Sequence, residues 1–409
     1  FSIEKNINEG CTVSMNYIAN ILYLIPSLEN SGGMERVLTD KVNYLSKNKN
    51  YNVKIITTDM AEDAHTFYTL SPSVEVIRLN IHFNKIFTLP LFKRVVKNNQ
   101  LLKLYKTQLE NFLVNEKIDI CISMGAKELE FFSKLESPCV KIFEAHFNPK
   151  VRSSFLKGSK RSSLLWQLIG RFRDWQYLQQ TKSLDQIVVL TKSAQTEWEK
   201  THNNVCLINN PSPFETIGDK IDFKEYKRAI AIGRLEDQKG FDLLIESWRN
   251  VYSKYPNWKL DIFGEGSKKD LLQKKINENN LDQVITLKGI TRNVQQELLT
   301  SDFYVMSSRY EGLPMVLLES IANGLPIVSF DCPTGPAEII ENNDCGILVL
   351  NGNIKDLSEK IISMIENVDV RKKMSTIAIE KSKKYSIELI MRQWEQLFTE
   401  MLSNKARNK

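Results

Sequence analysis

The chain has 409 residues. Single hydrophobic cores stop growing at roughly 250–300 residues, so two domains of similar size are expected. Its 42% apolar and 25% charged residues are those of a globular protein, and a formal charge of +6 admits an anionic partner without calling for nucleic acid. Four histidines and six cysteines, with no CxxC or HxxxH spacing, leave no ligand set for a metal. Cys121, Cys139 and Cys206 sit in or beside apolar runs and read as buried reduced thiols of a cytoplasmic protein.

Residues 1–14 lack a starting Met and an apolar segment, so they read as an extension, with the working sequence beginning near Met15 and no signal peptide. The apolar stretch Ile18 to Ile25 contains Asn20 and is far shorter than the ~20 residues that span a bilayer. Strand patterns follow at 20–25, 53–58, 74–79, 118–123, 139–144 and 186–191, with helices at 34–48, 93–116 and 193–200. The Pro-rich run Asn209-Asn210-Pro211-Ser212-Pro213 marks a boundary. The same alternation then restarts, with strands at 229–233, 258–263, 284–288, 303–306, 326–330 and 346–350. Helices are expected near 240–254, 267–279, 294–300, 314–323 and 353–365. Alternating strands and helices predict an α/β chain of two doubly wound, Rossmann-like parallel sheets whose strand C-termini face a shared cleft. The domains are placed at 15–210 and 211–385, and a last helix within 386–409, carrying Trp394, Leu397 and Phe398, is expected to cross back.

Residues with chemistry gather at those strand ends. After the first strand, Gly32-Gly33 opens a helix, where bare backbone can approach a ligand. His146 follows the fifth strand. In the second half, Arg234 and Lys239 could neutralise phosphate oxygens, although alone they read more readily as a solvated charged strand end. Gly264 makes a sharp turn at the next strand end, and Arg292 follows the one after it. The most informative run is Glu311-Gly312-Leu313-Pro314-Met315-Val316-Leu317-Leu318-Glu319, two carboxylates eight apart around a Gly-Leu-Pro turn. Pro314 suits a first helical position, and the positive helix end beside it can hold a phosphate. The two carboxylates would then serve sugar and ribose hydroxyls. A further Gly/Pro turn, Asp331 to Glu338, opens another helix.

Taken together, Ser308-Arg309-Tyr310 leading into that run, Gly233-Arg234-Leu235, Lys239-Gly240, and Gly32-Gly33 with Glu35-Arg36 resemble the retaining nucleotide-sugar glycosyltransferases of family four, which have the GT-B fold. The likeness runs from Met15 onward and is strongest in the second half. It implies that Glu311 holds donor-sugar hydroxyls, Glu319 the ribose, Arg234 and Lys239 the diphosphate, and that His146 meets the sugar near its reacting carbon. Gly32, Gly33, Gly264, Arg292, Gly312, Leu313, Pro314, Met315 and Val316 complete the expected substrate-binding set. No metal or resident cofactor is implied, the nucleotide-sugar being a co-substrate. Asn209-Asn210-Pro211 departs from the family's usual Pro-Asn-Gly, whereas Asp331-Cys332-Pro333-Thr334-Gly335-Pro336 resembles members that build polyprenyl-linked oligosaccharide, lipopolysaccharide or capsule.

The resulting expectation is hexosyl or N-acetylhexosaminyl transfer from a UDP-sugar to a glycan or lipid-linked acceptor. A catalytically silent sugar-nucleotide-binding partner of another transferase is the alternative, and a GT-B relative with epimerase or phosphorylase chemistry a third reading. Segment 150–182 is rich in Lys and Arg, has Asp174 as its one acid, and includes Leu164, Leu165, Trp166, Ile169, Phe172 and Trp175. It fits docking on an anionic membrane at the inner face of the cell membrane, or else a charged face over an ordinary core stripe.

Overall fold

The computed structural model describes residues 18–149, 164–217 and 224–407. The extension expected at residues 1–14 and the first part of the basic segment, 150–163, lie outside them. The first sheet has seven parallel strands: β1 (Ala19–Ile25), β2 (Tyr51–Thr57), β3 (Glu75–Arg78), β4 (Ile120–Ser123), β5 (Val140–Ala145), β6 (Gln186–Val189) and β7 (Val205–Leu207). Their order in space is 3-2-1-4-5-6-7. The second sheet holds β8 (Arg228–Ile232), β9 (Lys259–Phe263), β10 (Ile285–Gly289), β11 (Phe303–Met306), β12 (Ile327–Asp331) and β13 (Gly346–Leu350), also all parallel, in the order 10-9-8-11-12-13. Each sheet therefore reverses direction once, between β1 and β4 and between β8 and β11, and such reversals open a crevice at the strand C-termini.

The strands read as apolar runs because helices cover both faces. In β1, Ile21, Tyr23 and Ile25 enter one core cluster, while Leu22 and Leu24 enter another on the opposite face. In β8, Ala229 and Ala231 face one cluster and Ile230 the other. Ten helices of the described residues flank the sheets: α1 (Gly33–Leu45), α2 (Leu91–Asn115), α3 (Leu164–Thr181), α4 (Lys192–Trp198), α5 (Phe241–Lys254), α6 (Lys269–Glu278), α7 (Val294–Leu299), α8 (Met315–Ala322), α9 (Pro336–Ile340) and α10 (Ile354–Glu366), followed by two more, α11 (Val368–Ser382) and α12 (Ile387–Arg407).

Helix α12 leaves the second domain and packs on the first. Its Ile390, Met391, Trp394, Leu397, Phe398 and Leu402, spaced to make one helical stripe, join the β1–α1 core. Phe398 meets Tyr51 edge-on at 6.1 Å between ring centroids. A second tie runs the other way: the Glu338 carboxylate of α9 accepts the backbone N–H groups of Lys192 and Ser193 at 2.7 and 3.0 Å. A negative charge at the opening turn of α4 also suits that helix's dipole.

Helix α3 is missing from the elements read in the sequence, and so are two further ones. Strand β7 has three half-buried residues at a sheet edge, too few to show a period. Helix α11 buries Arg371, Ser375, Lys381 and Ser382, so polar residues occupy the face on which a hydrophobic stripe would have shown. Arg371 donates to the Met364 and Ile365 carbonyls at the end of α10 and to Glu225, which explains how a guanidinium is tolerated there.

If α12 holds the first domain as this packing implies, Phe398→Ala should lower stability by about 3–5 kcal/mol. Urea unfolding followed by circular dichroism reads this, and an unchanged midpoint would mean the helix is not an integral layer.

Candidate functional site

The loops after β8 and β11 adjoin at the reversal of the second sheet. The loop after β8 runs through Gly233 and Arg234 to a 3-10 turn at Asp237–Lys239. The loop after β11 runs through Ser307 to Glu311. Their backbones are joined by the Arg309 N–H donating to the Gln238 carbonyl at 2.8 Å, and by Gln238 Nε2 donating to the Tyr310 carbonyl at 3.1 Å. Arg309 adds a two-pronged pair with Asp242 at 2.9 and 2.7 Å. This scaffold fixes Lys239 Nζ at 2.8 Å from Glu311 Oε1, with the side chains only 16% and 8% exposed. Arg234 is exposed beside them, making one bond, to Gln238 Oε1 at 3.3 Å. The result is a half-buried ion pair next to an open guanidinium.

Gly264 is required at its turn by geometry. With φ +138, a Cβ there would lie 1.9 Å from the Gly233 carbonyl oxygen.

The turn after Glu311 meets the first domain. A Cβ on Gly312 would lie 2.0 Å from the carbonyl oxygen of His146, so only glycine lets the two backbones touch. Three residues on, the Met315 side chain rests against Gly33, and its Sδ accepts from Asn210 Nδ2 at 3.5 Å. Helix α8 begins at Met315, one residue later than the sequence suggested, and Pro314 is its cap residue (φ −72, ψ 108). Leu313 is buried in a core cluster, and the partly buried Val316 packs against that cluster.

Glu319 lies farther along α8, partly exposed and facing α1. Burial pushes its carboxyl up to about 7, against the pull of Arg36 and Lys239 and with the help of Asp40. Arg36 is itself held by Asp40 at 2.9 Å, by the Pro213 carbonyl at 3.2 Å, and over the Tyr68 ring at 5.0 Å. Glu35, whose carboxylate curls back over Gly32, is also pushed up by burial, with Arg234 of the other domain opposing. Asp40 belongs to this group of charges but not to the Glu35-Arg36 motif. Its spacing of four from Arg36 was the available signal.

His146 is buried just beyond β5, and its Nε2 lies 3.5 Å from Glu144 Oε1. Burial draws its pKa down, opposed by Glu144 and reinforced by Lys41. Gly32, Gly33, His146, Arg234, Lys239, Glu311, Gly312, Met315 and Glu319 thus line the meeting of the two domains. Arg292 stands apart on the edge-strand side, its guanidinium 5.8 Å from the Phe67 ring of the first domain. Among the described residues, no group of three or more His, Cys, Asp or Glu side chains could hold a metal ion.

The carboxyl of Glu319 makes a pH signature. The folded chain holds a proton there between roughly pH 4.5 and 7 that the unfolded chain releases. Its stabilising contribution is therefore full at low pH and lost as pH rises through about 7. The stability of the wild type relative to Glu319→Gln should fall by up to about 3 kcal/mol between about pH 5 and about pH 8. Urea titrations at the two pH values measure it, and a constant difference would show an ordinary, solvated carboxylate.

The sequence pattern of glycosyl transferases group 1 matches residues 214–381. Over 386 residues the chain is 28% identical to the amylovoran biosynthesis glycosyltransferase AmsD of Erwinia amylovora, covering 92% of this chain and 99% of that one. It is 32% identical over 213 residues to an uncharacterized glycosyltransferase of Haemophilus influenzae, a match covering 52% of this chain and 60%, less than two thirds, of its relative. In three dimensions it superposes on the pneumococcal O-GlcNAc transferase GtfA, solved with UDP and GlcNAc, with a TM-score of 0.71 at 15% identity, covering 94% of this chain and 99% of that one. The chain has the GT-B fold, carries the group 1 signature in its second domain, and is related to glycosyltransferases along nearly its whole length.

Proposed function

We propose that the protein is a retaining glycosyltransferase. It would move a hexosyl or N-acetylhexosaminyl group from a UDP-sugar to a glycan or polyprenyl-linked oligosaccharide in surface polysaccharide synthesis. The observation that carries this reading is the Lys239–Glu311 pair beside exposed Arg234, set where the second sheet reverses, on the segment whose Gly312 touches the His146 carbonyl and whose Met315 rests against Gly33. Two further facts support it: the nearly full-length similarity to an amylovoran biosynthesis glycosyltransferase, and a protein of the same fold solved with UDP and GlcNAc.

In this reading the first domain takes the acceptor and residues 211–385 take the donor. Breaking the sugar–phosphate bond puts negative charge on the diphosphate and leaves an oxocarbenium-like sugar. Arg234 and Lys239 stabilise the departing charge, with backbone N–H groups at the start of α8, and such electrostatic terms usually dominate. Glu311 accepts from donor-sugar hydroxyls, and Glu319, once ionised, from the ribose diol. Retention follows if the acceptor attacks on the face from which the phosphate leaves, the phosphate taking the acceptor's proton. No side chain is assigned as base. The touching backbones at Gly312 and His146 would keep water from the reacting carbon.

The first domain also supports a membrane-facing reading. No helix among the described residues is long and apolar enough to cross a bilayer. Helix α3 nevertheless exposes Leu168, Phe172 and Trp175, the last two rings stacked at 5.8 Å, beside exposed Arg171 and Arg173. The opening turns of α2 expose Leu91, Phe92 and Val95 among Lys93, Arg94 and Lys97. Both helices pack on the short turn at Lys127–Glu130. Apolar rings amid basic charge suit an anionic lipid surface at the inner face of the cell membrane.

With EDTA present, UDP at about 100 times its dissociation constant should stabilise the wild type by ~2.7 kcal/mol. Arg234→Ala should lose most of that shift and about 100- to 1,000-fold in sugar transfer while keeping its fold. Absence of any shift with millimolar UDP, GDP or ADP, or near-normal turnover in the variant, would overturn the assignment. For the surface, co-sedimentation with phosphatidylglycerol vesicles at low salt is expected, weakened by added salt and by Phe172→Ser with Trp175→Ser. Equal recovery with neutral vesicles would remove the electrostatic part of that idea.

A further inference from the structure

Beside His146 lies a buried charge cluster that the proposed transfer does not use. Lys41 of α1 and Glu144 of β5 are each 1% exposed, with Lys41 Nζ 2.5 Å from Glu144 Oε2. The ring of Trp394, from α12, lies 3.6 Å from the same ammonium, and the Tyr23 ring 5.4 Å. The second carboxylate oxygen, Glu144 Oε1, has no hydrogen-bond partner, and neither does His146 Nε2. These two unpartnered atoms face each other at 3.5 Å.

Stability does not account for this arrangement. Taking both charges out of water is expensive, and well-packed apolar residues in place of a buried ion pair are often as stable or more so. The cluster has a different consequence. A carboxylate facing one ring nitrogen decides which nitrogen carries the proton. We propose that the Lys41–Glu144 pair, roofed by Trp394, is a positioning device for His146: the negative Glu144 Oε1 beside Nε2 favours the tautomer with the proton on Nε2, so that Nδ1 is the nitrogen left to accept from a donor hydroxyl. Lys41 balances the carboxylate and anchors its other oxygen, and Trp394 closes the pocket from the C-terminal helix. Burial keeps the imidazole neutral, and only a neutral ring has a tautomer to select. What His146 then does for the sugar rests on the glycosyltransferase reading, whereas the tautomer does not.

The test uses Glu144→Gln in the full chain labelled with 15N-histidine. With four histidines in the chain, the His146 signal is assigned by its loss in His146→Gln. The wild type should show Nε2–H. In Glu144→Gln the amide oxygen can keep Lys41 while the amide nitrogen faces Nε2, so the ring should switch to Nδ1–H. Turnover should fall at least about tenfold, as when a partner that orients a histidine is lost, with the donor KM nearly unchanged. A companion variant, Lys41→Met with Glu144→Leu, separates packing from positioning. It should melt at or above the wild-type temperature yet lose the single tautomer and the same share of kcat. An unchanged tautomer in Glu144→Gln, or full kcat in the stable companion, overturns the proposal. If the wild type transfers no sugar but the tautomer switches, the glycosyltransferase reading fails and the positioning role stands.

Discussion

The contact between Gly312 and the carbonyl of His146 is the constraint on which the rest of the site depends. Two backbones from different domains come so close there that a single methyl group would not fit. Several placements follow from that approach. Glu311, the residue before, is carried to the domain boundary with Lys239 attached. Met315, three after, is pressed onto Gly33, and Glu319, seven after, is brought opposite Arg36 and Asp40. The domain that carries the group 1 signature thus has its chemistry completed by α1 of the other domain. Neither half holds the whole constellation.

The charged groups at this boundary are arranged as exchangeable pairs. Lys239 already holds Glu311, and Arg36 already holds Asp40, so the half-buried cleft is not left with bare charges whose desolvation would be uncompensated. In the proposed function, an incoming diphosphate or ribose would replace one partner by another of similar chemistry. That lowers the raw gain in binding and raises the demand for correct geometry, because a ligand that breaks a pair without re-forming it leaves a buried charge alone. Arg234 is the exception. It is exposed and lightly held, and in the proposed function it would be the first group to meet an approaching phosphate.

Much of this was legible in the sequence because it is local. Strand and helix alternation gave two parallel sheets, since strands covered on both faces show as apolar runs. Gly233-Arg234, Lys239 and Glu311 to Pro314 sit within short loops whose positions follow from the sheet, and Met315 to Glu319 open the helix that follows. What stayed hidden depends on distant residues meeting. Asp40 is paired with Arg36 by a local spacing of four, but its place opposite Glu319 is a cross-domain relation. Helix α11 concealed itself by burying Arg371 and Ser375, and β7 by its brevity. The packing of Leu313 and Val316 against a core cluster is likewise absent from the motif that contains them.

Lys41 shows why the last layer lies beyond pattern reading. At its place on α1 the helical period calls for an apolar residue, between Val37 and Leu38 on one side and Val42 and Leu45 on the other, all buried. A lysine there looks like an interruption of the stripe. Its tolerance depends on Glu144, about a hundred residues away, and on Trp394 from the far end of the chain. The same α12 that seals the β1–α1 core therefore also seals the ion pair beside His146. Packing and chemistry share one helix, so the return of the C-terminus to the first domain is a condition of the site as well as of stability.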